Sequence, residues 1–194
     1  MSAAESLPGA SKPFDSPLFD PLGLSKEASE GTIIKWREAE LKHGRVAMLG
    51  ALGIIVGETV EKNTPLFGDK IVGPAIYQFQ EADAILYYFW AGVVALIAVI
   101  EGYSISTGWE TIEQKAARDP EGKTGSQLAP GYINGDLGFD PLGLKPKDAE
   151  GFALMQTKEL NNGRLAMIGA AGMIAQELIN EKGIWENLGG PDIY

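Results

Sequence analysis

A chain of 194 residues suits one domain, and its 16 Lys and Arg against 26 Asp and Glu leave a formal net charge of −10. That balance disfavours nucleic acid as a partner, because phosphate binding needs clustered Lys and Arg. With no cysteine and a single histidine, the chain has no disulfide scaffold, no thiolate metal site and little material for zinc or triad chemistry. No nucleophile–base pair or phosphate loop marks an enzyme. Mean hydropathy is near zero, but it averages acidic, Pro/Gly-rich connectors with three apolar runs that have to be read separately.

The first feature in chain order is the hexapeptide Phe19-Asp20-Pro21-Leu22-Gly23-Leu24. Its two breakers predict a turn, with Asp-Pro initiating, Gly at a positive φ, and Phe and Leu presenting an apolar surface. A helix over residues 32–60 follows, carrying the charged block Glu40-Leu41-Lys42-His43-Gly44-Arg45 and then an apolar run from Val46 to Gly57. A middle helix over residues 82–104 contains no charge from Ala84 to Ile100, and Ala82 to Tyr103 gives about the 20 residues a bilayer span requires. Tyr87, Tyr88, Trp90 and Tyr103 near its ends suit an interfacial belt. The loop from Thr111 to Asn134 carries no readable motif. The hexapeptide then recurs as Phe139-Asp140-Pro141-Leu142-Gly143-Leu144, ahead of a third helix over residues 150–179 with the block Glu159-Leu160-Asn161-Asn162-Gly163-Arg164 and an apolar run from Leu165 to Gln176.

Matched positions lie 119 residues apart in the charged blocks (159 against 40) and 120 apart in the hexapeptides (139 against 19). Such a two-copy repeat implies a pseudo-two-fold pair of helices. Glu40 and Arg45 are five residues apart, about 140° around a helix, so they do not meet readily within one helix. If the repeats cross, Glu40 meets Arg164 and Glu159 meets Arg45, and one motif supplies two reciprocal ion pairs. Glu40, Gly44, Ala47 and Ala51 fall within about 60° of one another, as do Glu159, Gly163, Ala166 and Ala170. Small residues on that stripe let membrane helices approach closely. The competing reading is a soluble amphipathic helix with exposed charges, which fits poorly with the joint duplication of charges, small residues and hexapeptide.

Several polar groups then remain at membrane depth. His43 and Asn162 occupy equivalent repeat positions, Gln176 lies about 21 Å further along the third helix on nearly the same face, and Glu101 closes the middle run. Unsatisfied polar groups cost several kcal/mol in hydrocarbon. Magnesium with one open axial position is one partner, since it takes oxygen donors and accepts imidazole. The alternatives are a hydrogen-bonded core His or Asn, an interfacial Glu101 and an interhelical amide at Gln176.

From about Phe19 to Leu188 the sequence resembles the chlorophyll-binding light-harvesting antenna family, three-helix proteins of photosynthetic eukaryotes. The resemblance rests on the paired Glu-x-x-His/Asn-x-Arg blocks, both Phe-Asp-Pro-Leu-Gly-Leu turns, and Val99-Ile100-Glu101-Gly102-Tyr103. It implies an all-α membrane protein forming a single domain over residues 1–194. Three transmembrane helices are expected, the first and third related by pseudo-two-fold symmetry and crossing as an X. It further implies Glu40, His43, Glu101, Glu159, Asn162 and Gln176 as axial magnesium ligands, and Gly53 as a site ligating through a water on its carbonyl. Glu40–Arg164 and Glu159–Arg45 would be the structural ion pairs. Phe19, Asp20, Pro21 and Leu22, with Phe139, Asp140, Pro141 and Leu142, would hold the ends of two carotenoids.

Chlorophyll a, chlorophyll c, xanthophyll carotenoids and bound lipid are the expected cofactors. A photosystem I or II core, neighbouring antennas and thylakoid lipids are the expected partners, in a plastid thylakoid location. Departures from the family pattern include Val93 where green-plant antennas carry Gln, Gly57 opposite Gln176, and no His after Leu188. The wording around the blocks, Lys35-Trp36-Arg37-Glu38-Ala39-Glu40 and Gln156-Thr157-Lys158-Glu159, resembles the red-lineage branch with its fucoxanthin or peridinin chlorophyll a/c proteins and red-algal photosystem I antennas. Light harvesting is the expected role. The alternative is a quencher of the same fold, with Glu58, Glu61, Asp69, Glu81, Asp83 and Glu177 as lumenal acids.

Overall fold

A computed structural model describes residues 4, 5, 7–10, 18–60, 73–85 and 87–189, so Glu61 and Asp69 lie outside the described residues. The helices run in the order α1 (Leu24–Glu27), α2 (Glu30–Val60), α3 (Ala75–Ile85), α4 (Phe89–Gly108), α5 (Ile112–Arg118), α6 (Ala149–Asn180) and α7 (Ile184–Asn187). Among the described residues there is no strand, only an isolated bridge between Trp109 and Leu128. The two long helices open at repeat-related residues. Ser29 Oγ accepts the Thr32 N–H at 3.3 Å, and Asp148 Oδ2 accepts the Gly151 N–H at 2.6 Å. Each side chain satisfies an orphan donor of the first turn, as an N-cap does.

The middle helix differs from its expected bounds of 82–104. α3 ends at Ile85 and α4 runs from Phe89 to Gly108. No Pro or Gly forces this break. Instead Trp90 stacks on Phe79 with ring centroids 4.4 Å apart and donates from Nε1 to the Phe79 carbonyl at 2.9 Å. A tertiary aromatic contact therefore overrides local propensity. The loop after α4 also contains order that sequence reading missed. α5 is opened by a capping box, in which the Gln114 N–H donates to Thr111 Oγ1 while the Thr111 N–H donates back to the Gln114 side chain.

Contacts divide the chain into two compact units, each built on one half of α2 and one half of α6. The first comprises Met1–His43 and Ile100–Asn162. Here Glu38, buried on α2, accepts hydrogen bonds from Tyr132 Oη, Asn134 Nδ2 and the Gly135 N–H. It thereby holds the strap that precedes α6. On α6 the repeat-equivalent Thr157 accepts the Gly9 N–H at 3.1 Å, holding a segment that precedes α2. Gly9 sits at φ 80 with its missing Cβ directed at Leu160 Cδ2, 2.4 Å away, so no other L-residue fits.

The second unit comprises Gly44–Val99 and Gly163–Tyr194. Within it the backbones of α2 and α6 touch: a Cβ on Gly44 would lie 3.0 Å from Gly163 Cα, and one on Gly163 would lie 2.9 Å from Gly44 Cα. Glu58, near the end of α2, accepts the N–H of Ile184 at the start of α7. Its repeat equivalent Glu177, near the end of α6, accepts the N–H of Ile76 at the start of α3. In both units, then, each long helix secures a segment that belongs to the other.

Burial is inverted relative to a soluble protein. Among the described residues the buried apolar side chains are Ala4, Ile33, Leu41, Ala82, Leu160 and Ile184. The repeat partners Val46 and Leu165 are each 70% exposed, and Leu49 and Ile168 are 72% and 74% exposed. Uncovered apolar faces of this extent mark interaction surfaces. α4 is long and apolar enough by composition to cross a membrane. α2 and α6 are longer, at 31 and 32 residues, but their charged blocks interrupt the apolar run.

Candidate functional site

Both hexapeptides fold into the same turn. Asp20 Oδ1 accepts the Leu24 N–H at 3.0 Å, and Oδ2 accepts the Ser25 N–H at 2.9 Å and Ser25 Oγ at 2.6 Å. Asp140 accepts the Leu144 and Lys145 N–H groups at 2.9 and 3.0 Å. Gly23 and Gly143 supply the positive φ, 68° and 64°. These bonds hold both carboxyls below the usual carboxylate range, chiefly through the Ser25 hydroxyl for Asp20 and the Lys145 N–H for Asp140. With the Asp oxygens turned inward onto backbone, Phe19, Leu22, Phe139 and Leu142 stand exposed as apolar tips.

The donors expected to ligate differ in exposure. On α2, His43 is exposed, and its Nδ1 lies 2.7 Å from the Ala39 carbonyl. A carbonyl only accepts, so Nδ1 donates in this contact, and Nε2 is the ring nitrogen that the contact does not use. Asn162 at the matching position of α6, Gln176 and Gly53 are likewise exposed, while Glu40 and Glu159 are partly buried. Glu40 Oε2 has Arg37 Nη1 at 3.5 Å on its own helix, a partner the sequence reading did not consider. Glu101 on α4 is half-exposed and receives Lys42 Nζ at 2.7 Å. That contact joins residues 59 positions apart, beyond any helical spacing rule.

Among the described residues no three His, Asp or Glu side chains converge as a metal cage would require. Single oxygen or imidazole donors on apolar faces suit a hard cation whose other positions are filled by its own macrocycle. The chemistry of the donor set therefore fits axial ligation of magnesium. A cavity of about 260 Å³ in the first unit is lined by Leu7, Ile34, Arg37, Tyr132 and Leu160 among others, and none of the expected ligands lines it.

The loop beyond α4 is fixed by electrostatics. Arg118 donates from Nε and Nη2 to Glu110 at 2.9 and 2.7 Å, a bidentate pair, and the Gln127 N–H adds a third bond at 2.8 Å. The Arg118 hydrogen bonds draw the Glu110 carboxyl down from about 4.5 to about 2.

The family model for chlorophyll A-B binding protein matches residues 3–178. A light-harvesting complex stress-related protein 1 of Chlamydomonas reinhardtii is 47% identical over 97% of this chain and 70% of its own length. A fucoxanthin-chlorophyll a-c binding protein of Isochrysis galbana is 46% identical over 84% of this chain and 72% of its own. A photosystem I chlorophyll a/b-binding protein 5 of Arabidopsis thaliana is 31% identical over 88% and 65%. The family model spans most of the chain and the relatives align along nearly all of it, so the chain belongs to the chlorophyll a/b-binding family.

Proposed function

We propose that this chain is a light-harvesting antenna protein that binds chlorophylls and carotenoids and passes excitation to a photosystem. The observation that carries the reading is the exposure of His43, Glu101, Asn162 and Gln176 on apolar helices, in a chain of this family. Glu40, His43, Glu101, Glu159, Asn162 and Gln176 would hold the chlorophyll magnesium ions, and Gly53 would do so through a water on its carbonyl. When bound, the pigments absorb light and exchange excitation. The residues of the chain fix where each pigment sits, and rigid helices serve that purpose better than loops. The exposed Phe and Leu tips at residues 19–22 and 139–142 receive the carotenoid ends.

In this reading α2, α4 and α6 are three thylakoid-spanning helices, and α2 and α6 cross as an X. The Gly44–Gly163 backbone contact within the second unit supports the crossing, since two helices approach that closely only where both lack a side chain. The reciprocal pairs Glu40–Arg164 and Glu159–Arg45 then neutralise the four ions at membrane depth, where a lone charge costs several kcal/mol. Similarity to fucoxanthin-chlorophyll a-c binding proteins supports chlorophyll c beside chlorophyll a. The partners are a photosystem core, adjacent antennas and thylakoid lipids.

A second reading is favoured by the stress-related relatives: the same pigment scaffold dissipating excitation as heat. Pigment extraction from the purified complex, with time-resolved fluorescence on the same sample, tests both. Several chlorophylls per chain with nanosecond emission establish the antenna. A strongly shortened lifetime establishes the quencher, and a pigment-free protein refutes both.

A further inference from the structure

Lys42 has no role in the ligand set above, yet the structure gives it a definite partner. It precedes His43 on α2 and donates to Glu101 Oε2 on α4 at 2.7 Å. The contact occupies one carboxylate oxygen and leaves Oε1 for another bond. Around Glu101 the α4 surface is open: Ile97 and Ile100 are each 52% exposed, and a Cβ added at Gly102 would meet nothing within 4 Å. A flat ligand has room to approach the carboxylate from that side. The ion pair is not duplicated, because the repeat partner of Lys42 is the uncharged Asn161.

We propose that Lys42 is the counter-ion that makes Glu101 a competent axial ligand, an inference that rests on the antenna reading of Glu101. A bare carboxylate on an apolar helix face is disfavoured in hydrocarbon and would leave a net negative charge against the macrocycle. An ammonium on Oε2 cancels that charge and restrains the carboxylate rotamer, so Oε1 is presented to the metal. Lys42 is therefore a positioning residue, and it ties α2 to a pigment held on α4.

The experiment reconstitutes four forms of the full chain with pigments: E101L, K42M, K42M/E101Q and wild type. Chlorophyll per chain, difference absorption and thermal unfolding are measured on each. E101L should lose one chlorophyll; if it keeps the full complement, the ligand role of Glu101 fails and this inference with it. Given that loss, K42M should lose the same chlorophyll, identified by its difference band. K42M/E101Q should recover it, because a neutral amide ligates without a counter-ion. Full occupancy in K42M would overturn the role of Lys42 while leaving Glu101 as ligand. A double variant as depleted as K42M would also overturn it, since Lys42 would then be a tether that an amide cannot replace. Should K42M fail to assemble, recovery in the double variant still decides the matter in the same sense.

Discussion

Replacing Gly163 with Ala tests the close approach on which the helix pairing depends. The added methyl would sit 2.9 Å from Gly44 Cα and 3.5 Å from Gly44 C, both backbone atoms. Carbon pairs rest at about 3.5–4.0 Å, so α2 and α6 have to part locally by roughly 0.6–1 Å from a 2.9 Å contact. Overpacking of this kind costs about 1–3 kcal/mol. Against it stands about 0.8–1.0 kcal/mol gained when a helical Gly becomes Ala. The net is a loss of about 1 kcal/mol, which lowers the unfolding midpoint by roughly 2–4 °C in a chain of this size. Gly169→Ala is the control, because its Cβ meets nothing within 4 Å; the propensity term acts there alone and raises the midpoint. Thermal unfolding of the pigment-bound complex, followed by circular dichroism, reads both. A Gly163→Ala midpoint equal to or above wild type would refute the backbone contact.

Arg164→Leu should leave Glu40 without its proposed cross-helix partner in the membrane and impair both folding and the chlorophyll on Glu40; reconstitution with a full pigment complement would reject the crossed pairs. His43→Leu removes the imidazole but not the helix, so it should lose one chlorophyll with circular dichroism otherwise retained, and unchanged stoichiometry would reject the ligand role. At Glu110 the folded carboxyl titrates at about 2 rather than 4.5. Because the folded value is depressed, its stabilising contribution is complete above about 4.5 and is lost as pH falls through about 2. Hydrogen exchange of the Gln127 N–H, which Glu110 accepts, should therefore stay protected from pH 8 to about 5. A fall in protection beginning near neutral pH would contradict the Arg118 pairing.

Much of the architecture was legible because the chain says it twice. The Asp-Pro-Leu-Gly turns need only local chemistry, an Asp to take the following N–H groups and a Gly for positive φ, and both copies adopt it. The long helices open at Ser29 and Asp148, whose side chains accept first-turn N–H groups, a local cap chemistry that the sequence carries. The capping box at Thr111 and Gln114 was equally visible and was passed over within a loop of otherwise mixed composition.

Sequence by itself determined the duplicated turns, the helical periodicity and the residue types able to ligate, because each depends on neighbours a few positions away. Only the tertiary structure decided where the middle helix begins, which carboxylates are clamps and which stand outward, and that Lys42 meets Glu101. Those outcomes join residues such as Phe79 with Trp90, Glu58 with Ile184, and Lys42 with Glu101. No periodicity encodes such partners. Burial of Glu38, Glu58 and Glu177 against N–H donors from distant segments turns acids that look like surface charges into struts, because a buried carboxylate is stable only where the fold delivers donors to it.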